Sequence, residues 1–399
     1  MDLRSGHPFW LAKNGLIHDY PPLTRNLRCE VAVVGGGVTG ALVAFQLAAS
    51  GIETVVIDRR DVGWGSTSAT TALLQYEIDT PLHKLAKMVG EGHAARTYLA
   101  CRDSISLLER IVGQLGDDCG FERKKSLYYA SRRADLPALE REFRIRLKHG
   151  IRLELLSSKE LEFRFGFRKP GALLSRDAAQ VDAYQLTHAL LRKATDKGLR
   201  VFDRTEITAI ATQKNGFELK TDRGSKVDAK RIVFASGYES QVFLRRKVAR
   251  LLSTYALASE PIRGLSRALK DHLIWETARP YLYLRTDGDR VIVGGEDEDF
   301  RDPERRDRLI GAKTKRLQQK FHRLFPDQFL EVAFAWAGTF GETDDGLAYI
   351  GATPEWPGAF FALGYGGNGI TYSALAAEII RDAILGRPNK YADLFRFDR

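Results

Sequence analysis

The sequence predicts an α/β fold of two interleaved domains on three observations: a β-branched run that opens into clustered glycines, an apolar helix that stops at a glycine, and a second apolar run that ends on an acid. Glu30-Val31-Ala32-Val33-Val34 reads as a buried parallel strand and leads directly into Gly35-Gly36-Gly37-Val38-Thr39-Gly40. The helix runs from Val38 to Ser50, is rich in alanine, and meets Gly51 as its C-terminal cap. The second strand, Glu53 to Ile57, ends on Asp58, 18 residues past Gly40.

Strand, glycines, helix, cap, strand and acid in that order form the Rossmann-like dinucleotide-binding unit. Gly35 permits the tight turn, Gly37 lets the backbone approach a pyrophosphate, and Gly40 lets helix pack on strand. The first helical residues, Val38 and Thr39, present backbone N–H groups to the phosphate charge. Asp58 accepts hydrogen bonds from a ribose hydroxyl. These residues serve NAD and FAD equally well, and Arg59 and Arg60 are compatible with a 2′-phosphate, so an NAD(P)-dependent dehydrogenase stays open at this point.

At 399 residues, 44% hydrophobic and 28% charged, the chain can bury a sizeable core. No run approaches the roughly 20 apolar residues of a membrane-spanning helix. Residues 1–20 lack the uninterrupted apolar stretch of a secretory signal, and a cytoplasmic enzyme is expected. Cys29, Cys101 and Cys119 show neither CxxC spacing nor a histidine-rich partner cluster, so buried thiols are expected and no metal site. Sixty-one Lys and Arg against 51 Asp and Glu leave a net charge of +10. The basic residues are dispersed without interleaved aromatics, which argues against a nucleic-acid partner, and a basic membrane-surface protein is the weaker alternative.

Beyond that unit, the glycine- and threonine-rich stretch from Gly63 to Leu73, the strand end Ile232 to Gly237, Trp336-Ala337-Gly338 and the glycine cluster Gly364 to Thr371 together resemble the D-amino-acid-oxidase-like FAD oxidoreductases, a family that includes glycine, sarcosine and γ-glutamylputrescine oxidases. The stretch Gly63-Trp64-Gly65-Ser66-Thr67-Ser68-Ala69-Thr70-Thr71-Ala72-Leu73 is similar to the loop that in the family lies along the pyrophosphate and flavin, with Ala72 standing where glycine is usual. Gln180 to Leu186 opens a helix ending near Gly198, and Val201 to Ile210 supplies a strand whose backbone, around Ile207, is implied to meet the adenine. Ile232-Val233-Phe234-Ala235-Ser236-Gly237 resembles the strand end that returns the chain to the cofactor. Trp336-Ala337-Gly338 and Gly364-Tyr365-Gly366-Gly367-Asn368-Gly369-Ile370-Thr371, ahead of an apolar helix, resemble the segments that close the flavin site, where a helix N-terminus stabilises negative charge on the reduced ring.

The resemblance implies noncovalent FAD, because no cysteine lies beyond Cys119 and no histidine falls between Trp64 and Leu74. It places the FAD-binding domain at 1–86, 155–240 and 336–399. A discontinuous substrate domain, built on an antiparallel sheet, occupies 87–154 and 241–335. A hairpin of Pro280 to Arg285, the turn at Asp287-Gly288-Asp289 and Arg290 to Gly295 puts Tyr281, Tyr283 and Arg285 on one face. That face is implied to roof the flavin, with Arg285 for a carboxylate and the tyrosines for an amine. Trp336 and Tyr365 are further candidates to border the substrate.

No histidine has a spacing that marks a general base, and no catalytic side chain is assigned, which suits hydride transfer to flavin N5. The implied substrate is a small amine or amino acid oxidised at its C–N bond to an imine, and the alternative donor is a hydroxy acid. Electrons pass to oxygen or a quinone. Where some family oxidases carry a lysine, the nearest position here, Ile292, is apolar. Oligomeric state is left open.

Overall fold

The strand-glycine-helix-strand unit forms as its sequence dictates: strand Leu27–Val34, helix Val38–Ala49 and strand Thr54–Ile57 follow one another, with Gly51 in the left-handed region at φ 76°. The computed structural model describes residues 1–399. Around this unit an eight-stranded sheet assembles in the order Tyr349–Ala352, Ala359–Leu363, Lys226–Phe234, Leu27–Val34, Thr54–Ile57 and Arg200–Phe202, with Gly216–Thr221 also paired to Lys226–Phe234 and Ile207–Gln213 paired to Gly216–Thr221. From Ala359–Leu363 to Arg200–Phe202 every neighbour is parallel. Helices Val38–Ala49, Ala183–Thr195 and Gly369–Ile384 pack together on one face. Val31, Val33 and Val56 face them, whereas Ala32, Val55 and Ile57 point to a separate core on the other face.

A second sheet of ten strands runs Arg4–Gly6, Val332–Glu342, Arg250–Ser259, Arg290–Glu298, Tyr283–Asp287, His272–Glu276, Glu122–Tyr129, Gly171–Gln180 and Leu73–Gln75, with Leu153–Ser157 also paired to Gly171–Gln180. It is antiparallel except where His272–Glu276 meets Glu122–Tyr129. Helix Pro303–Leu324 covers one face, laying Leu317, Phe321 and Leu324 against Val291, Val293, Leu257 and Leu284. No helix is long and apolar enough to cross a membrane. The three cysteines are buried and free.

The expected domain boundaries do not follow the sheets. Leu153–Ser157, Gly171–Gln180 and Val332–Glu342 overlap segments expected in the nucleotide domain, yet they pair into the antiparallel sheet. Helix Glu91–Val112, expected in the substrate domain, packs against helix Gly369–Ile384 in the large core. Backbone pairing over long sequence distances decides these memberships, and local pattern does not carry it. The expected strand from Val201 to Ile210 is likewise two strands. Arg200–Phe202 pairs in parallel with Thr54–Ile57, and Ile207–Gln213 pairs antiparallel with Gly216–Thr221. They separate at Arg204, which sits at φ 45°, and the Thr205 N–H between them donates to the Asp58 carbonyl at 2.9 Å.

Candidate functional site

One elongated cavity of about 530 Å³ runs from the nucleotide-type sheet to the underside of the antiparallel sheet. Its first wall is the glycine turn. A Cβ on Gly40 would lie 1.8 Å from the Gly35 carbonyl oxygen, and one on Gly35 would meet the Ala235 carbonyl at 2.6 Å, so this close packing requires glycine at both positions. Gly37 precedes the first turn of helix Val38–Ala49, and its amide has no protein partner. Val38 donates to the Thr67 hydroxyl at 3.0 Å. The Asp58 carboxylate accepts the Gly36 N–H at 2.6 Å and the Arg60 N–H at 2.8 Å. Burial pushes Asp58 up to about 6 against those two hydrogen bonds.

Arg59 and Arg60 both contact the Glu239 carboxylate, as does the Met1 ammonium at 3.1 Å. Glu239 is held below the usual carboxylate range: burial opposes its ionisation, but the Arg60 hydrogen bond and charge outweigh burial. Both arginines are thus already paired with an acid, which corrects the thought that they favour a 2′-phosphate.

The second wall is the loop from Gly65 to Leu73. Four successive carbonyls on it accept from side chains of other segments: Ala69 from the Trp336 indole at 2.8 Å, Thr70 from the Trp10 indole at 2.6 Å, and Thr71 and Ala72 from Arg285 Nη1 at 3.3 and 3.0 Å. The same Nη1 reaches the Val181 carbonyl at 2.9 Å, and Arg285 is fully buried. Burial lowers the Arg285 guanidinium to about 10, with Asp287 opposing the shift. Neither Arg285 nor Trp336 lines the cavity.

The expectation that Arg285 binds a substrate carboxylate and that Trp336 borders the substrate is therefore corrected. Both brace the loop from behind, because their side chains donate to its backbone carbonyls, and Tyr281, expected on the same strand face as Arg285, precedes the strand, which starts only at Tyr283. Ala72, at the position where glycine is usual in the resembled family, sits at φ 56°.

The third wall is the N-terminus of helix Gly369–Ile384, where Gly367, Gly369 and Ile370 line the cavity. The Gly367 N–H donates to Asp79 Oδ2 at 2.8 Å. Asn368 and Thr371 turn away: Asn368 Nδ2 donates to the Glu77 carbonyl at 2.9 Å and the Thr371 hydroxyl to that of Gln75 at 3.2 Å.

Of the expected cofactor residues, Gly35, Gly37, Val38, Thr39, Asp58, Arg59, Gly65, Ser66, Thr70, Thr71, Leu73, Ile207, Ala235, Ser236, Gly237, Gly338, Gly366, Gly367, Gly369 and Ile370 all line this one cavity. Gly40, Ala72, Asn368 and Thr371 do not, and shape the backbone behind it. Tyr281, Tyr283 and Tyr365 line it too.

Sequence reasoning missed Tyr238, Thr254, Phe340 and Asp297, all on the lining. Asp297 lies in the run Glu296-Asp297-Glu298-Asp299, which looks like a solvated strand end. Two helix N-termini facing one cavity, an unpartnered amide at Gly37 and an acid at the strand end fit the pyrophosphate and ribose of a dinucleotide. No cysteine or histidine lines it.

Fold and site together define a dinucleotide-binding α/β protein whose cofactor cavity is roofed by an antiparallel sheet. A family model described as FAD dependent oxidoreductase (DAO) matches residues 30–383, and the chain belongs to that family. It is therefore an oxidoreductase that uses FAD. Glycine oxidase of Geobacillus kaustophilus is 27% identical over 368 residues, covering 90% of this chain and 93% of that one. Gamma-glutamylputrescine oxidoreductase of Escherichia coli is 23% identical over 386 residues, covering 93% and 87%. In fold, the crystal structure of L-proline dehydrogenase from P. horikoshii superposes with a TM-score of 0.78 at 20% identity, covering 94% of this chain and 99% of that one.

Proposed function

We propose that this enzyme oxidises the C–N bond of a small amine or amino acid. The observation that carries the reading is the composition of the roof: Tyr281 and Tyr283, ring centroids 5.4 Å apart, share the cavity's upper end with Asp297 and Thr254 and leave it aromatic and polar. The relatives' names supply the substrate chemistry by analogy. Bound FAD would supply a two-electron acceptor for the hydride of the substrate carbon, so that the C–N bond would become a C=N bond that water hydrolyses.

In this reading Gly37 and the first turn of helix Val38–Ala49 hold the pyrophosphate, Asp58 holds the ribose, and the backbone at Ile207 meets the adenine. The N-terminus of helix Gly369–Ile384 stabilises negative charge on the reduced ring. The cavity's lack of cysteine and histidine supports noncovalent attachment. Oxygen or a quinone takes the electrons.

The test is an anaerobic absorbance scan of the purified yellow protein. Bleaching of the flavin band by amines or amino acids, and not by hydroxy acids, is the expected outcome. Bleaching by a hydroxy acid alone overturns the reading.

A further inference from the structure

On the strand Arg290–Glu298 the faces alternate regularly at first. Val291 and Val293 point into the core beneath helix Pro303–Leu324, while Ile292 faces the other way. Gly294 lies directly under the Tyr283 ring, so close that a Cβ there would fall 2.4 Å from it. Continued alternation would send Glu296 into the cavity and Asp297 toward the helix.

The register prevents this. Tyr255 pairs with Gly295, but Ser253, two residues back, pairs with Glu298, three residues on. One extra residue is accommodated as a bulge opposite Thr254, with Glu296 in the left-handed region at φ 60°. The bulge is held from the helix side. Lys313 Nζ donates to the Glu296 carbonyl at 2.9 Å, and the Glu296 carboxylate meets Lys320 at 2.6 Å. Glu296 is thereby turned out to the helix and Asp297 is turned into the cavity beside Thr254, Tyr281 and Tyr283.

Asp297 Oδ1 is buried and has no hydrogen-bond partner in the protein. The cations on the lining, Arg59, Arg60 and the Met1 ammonium, are gathered on Glu239 beside Asp58 and are not free for Asp297. Arg279 stands outside the lining, donating to the Asp79 carbonyl at 2.7 Å with Glu342 3.7 Å away. A buried carboxylate oxygen without a partner, next to two tyrosine faces, calls for a cation from outside the protein.

We propose that Asp297 binds the substrate's ammonium group, and that the enzyme selects amines whose reacting carbon carries no carboxylate. This rests on the flavin-site reading above and adds the substrate class and the residue that recognises it. The ammonium N–H proton passes to Oδ1, leaving a neutral amine and a carboxylic acid, and the neutral nitrogen lone pair then assists oxidation at the adjacent carbon. A carboxylate on that carbon would sit against Asp297, with Asp79 and Glu342 adding further negative charge and Arg279 already engaged by the Asp79 backbone carbonyl and the Glu342 carboxylate. Burial first, and then Asp79 and Glu342, push Asp297 up to about 6, opposed by the Thr254 hydroxyl and Arg279. The Tyr281 and Tyr283 phenols, raised by burial, stay neutral.

The test uses wild-type holoenzyme and two probes that share a tert-butyl group, differ in the sign of their charge and have no hydrogen on the carbon bearing the charged group, tert-butylammonium and pivalate. Tert-butylammonium is expected to perturb the flavin's visible spectrum in a saturable way and pivalate to bind at least ten-fold more weakly. The reverse order, or equal binding, overturns the proposal. Because neither probe is oxidised, this result is independent of whether amines reduce the flavin.

D297N should keep its FAD, weaken tert-butylammonium at least ten-fold, and lose the rise in binding as pH increases through about 6. Unchanged binding and an unchanged pH profile in D297N overturn the assignment of the residue.

Discussion

Arg285 donates through Nη1 to the carbonyl of Ala72 at 3.0 Å, and Ala72 is held at φ 56°, a conformation that costs a side-chain-bearing residue roughly 1–2 kcal/mol. A fully buried guanidinium thus holds in place a strained turn on the cofactor loop, across 213 residues of sequence.

Replacement of Arg285 by alanine should therefore act on the loop and not on substrate recognition. It leaves the Thr71, Ala72 and Val181 carbonyls without this donor and is expected to destabilise the fold by about 2–4 kcal/mol, with weaker FAD retention. Denaturant titration and the flavin absorbance retained after gel filtration read the two effects. A variant of wild-type stability that loses only its affinity for carboxylate substrates would return Arg285 to the binding site.

Gly40→Ala places a methyl group 1.8 Å from the Gly35 carbonyl oxygen. The clash is with backbone, so helix Val38–Ala49 must move away from its strand and its N-terminus away from the phosphate position. A colourless protein that FAD does not reconstitute is expected. Normal flavin content in that variant would mean that the turn tolerates a side chain.

The pH dependence of cofactor retention follows from Asp58, which burial raises to about 6. A raised acid favours the folded apoprotein most below its unfolded value of about 4, and that contribution is lost as pH rises through 6. FAD runs the other way, since ribose hydroxyls donate more strongly to the charged carboxylate than to the protonated acid. Retention of FAD should strengthen as pH rises from 5 to 7 and become flat in Asp58→Asn. Equal retention by the wild type across that range would remove Asp58 from the ribose site.

The helix start at Gly37 and the strand end at Asp58 were legible in order along the chain because each is local: a glycine turn, a capped apolar helix and an acid at a strand terminus are specified within a few residues. The same holds for the C-terminal glycines before helix Gly369–Ile384. Tyr281 and Tyr283, expected from alternation on one face, both lie on the cavity lining, although the strand itself begins three residues later than alternation suggests.

What only the tertiary structure decided is which way the buried polar side chains of the roof point. Arg285 turns onto the loop because three backbone carbonyls from two distant segments converge on it, and Trp336 does so because the Ala69 carbonyl needs a donor. Asp297 faces the cavity because a bulge held by Lys313 and Lys320 shifts the register by one residue, and a one-residue shift exchanges the two faces of a strand. The sequence by itself determined the nucleotide-binding unit, since local backbone preferences encode it, and FAD rather than NAD was legible only through the resemblance of several distant segments to one family. The roof of the cavity depended on contacts between segments far apart in the chain, and those exist only once the two sheets have assembled.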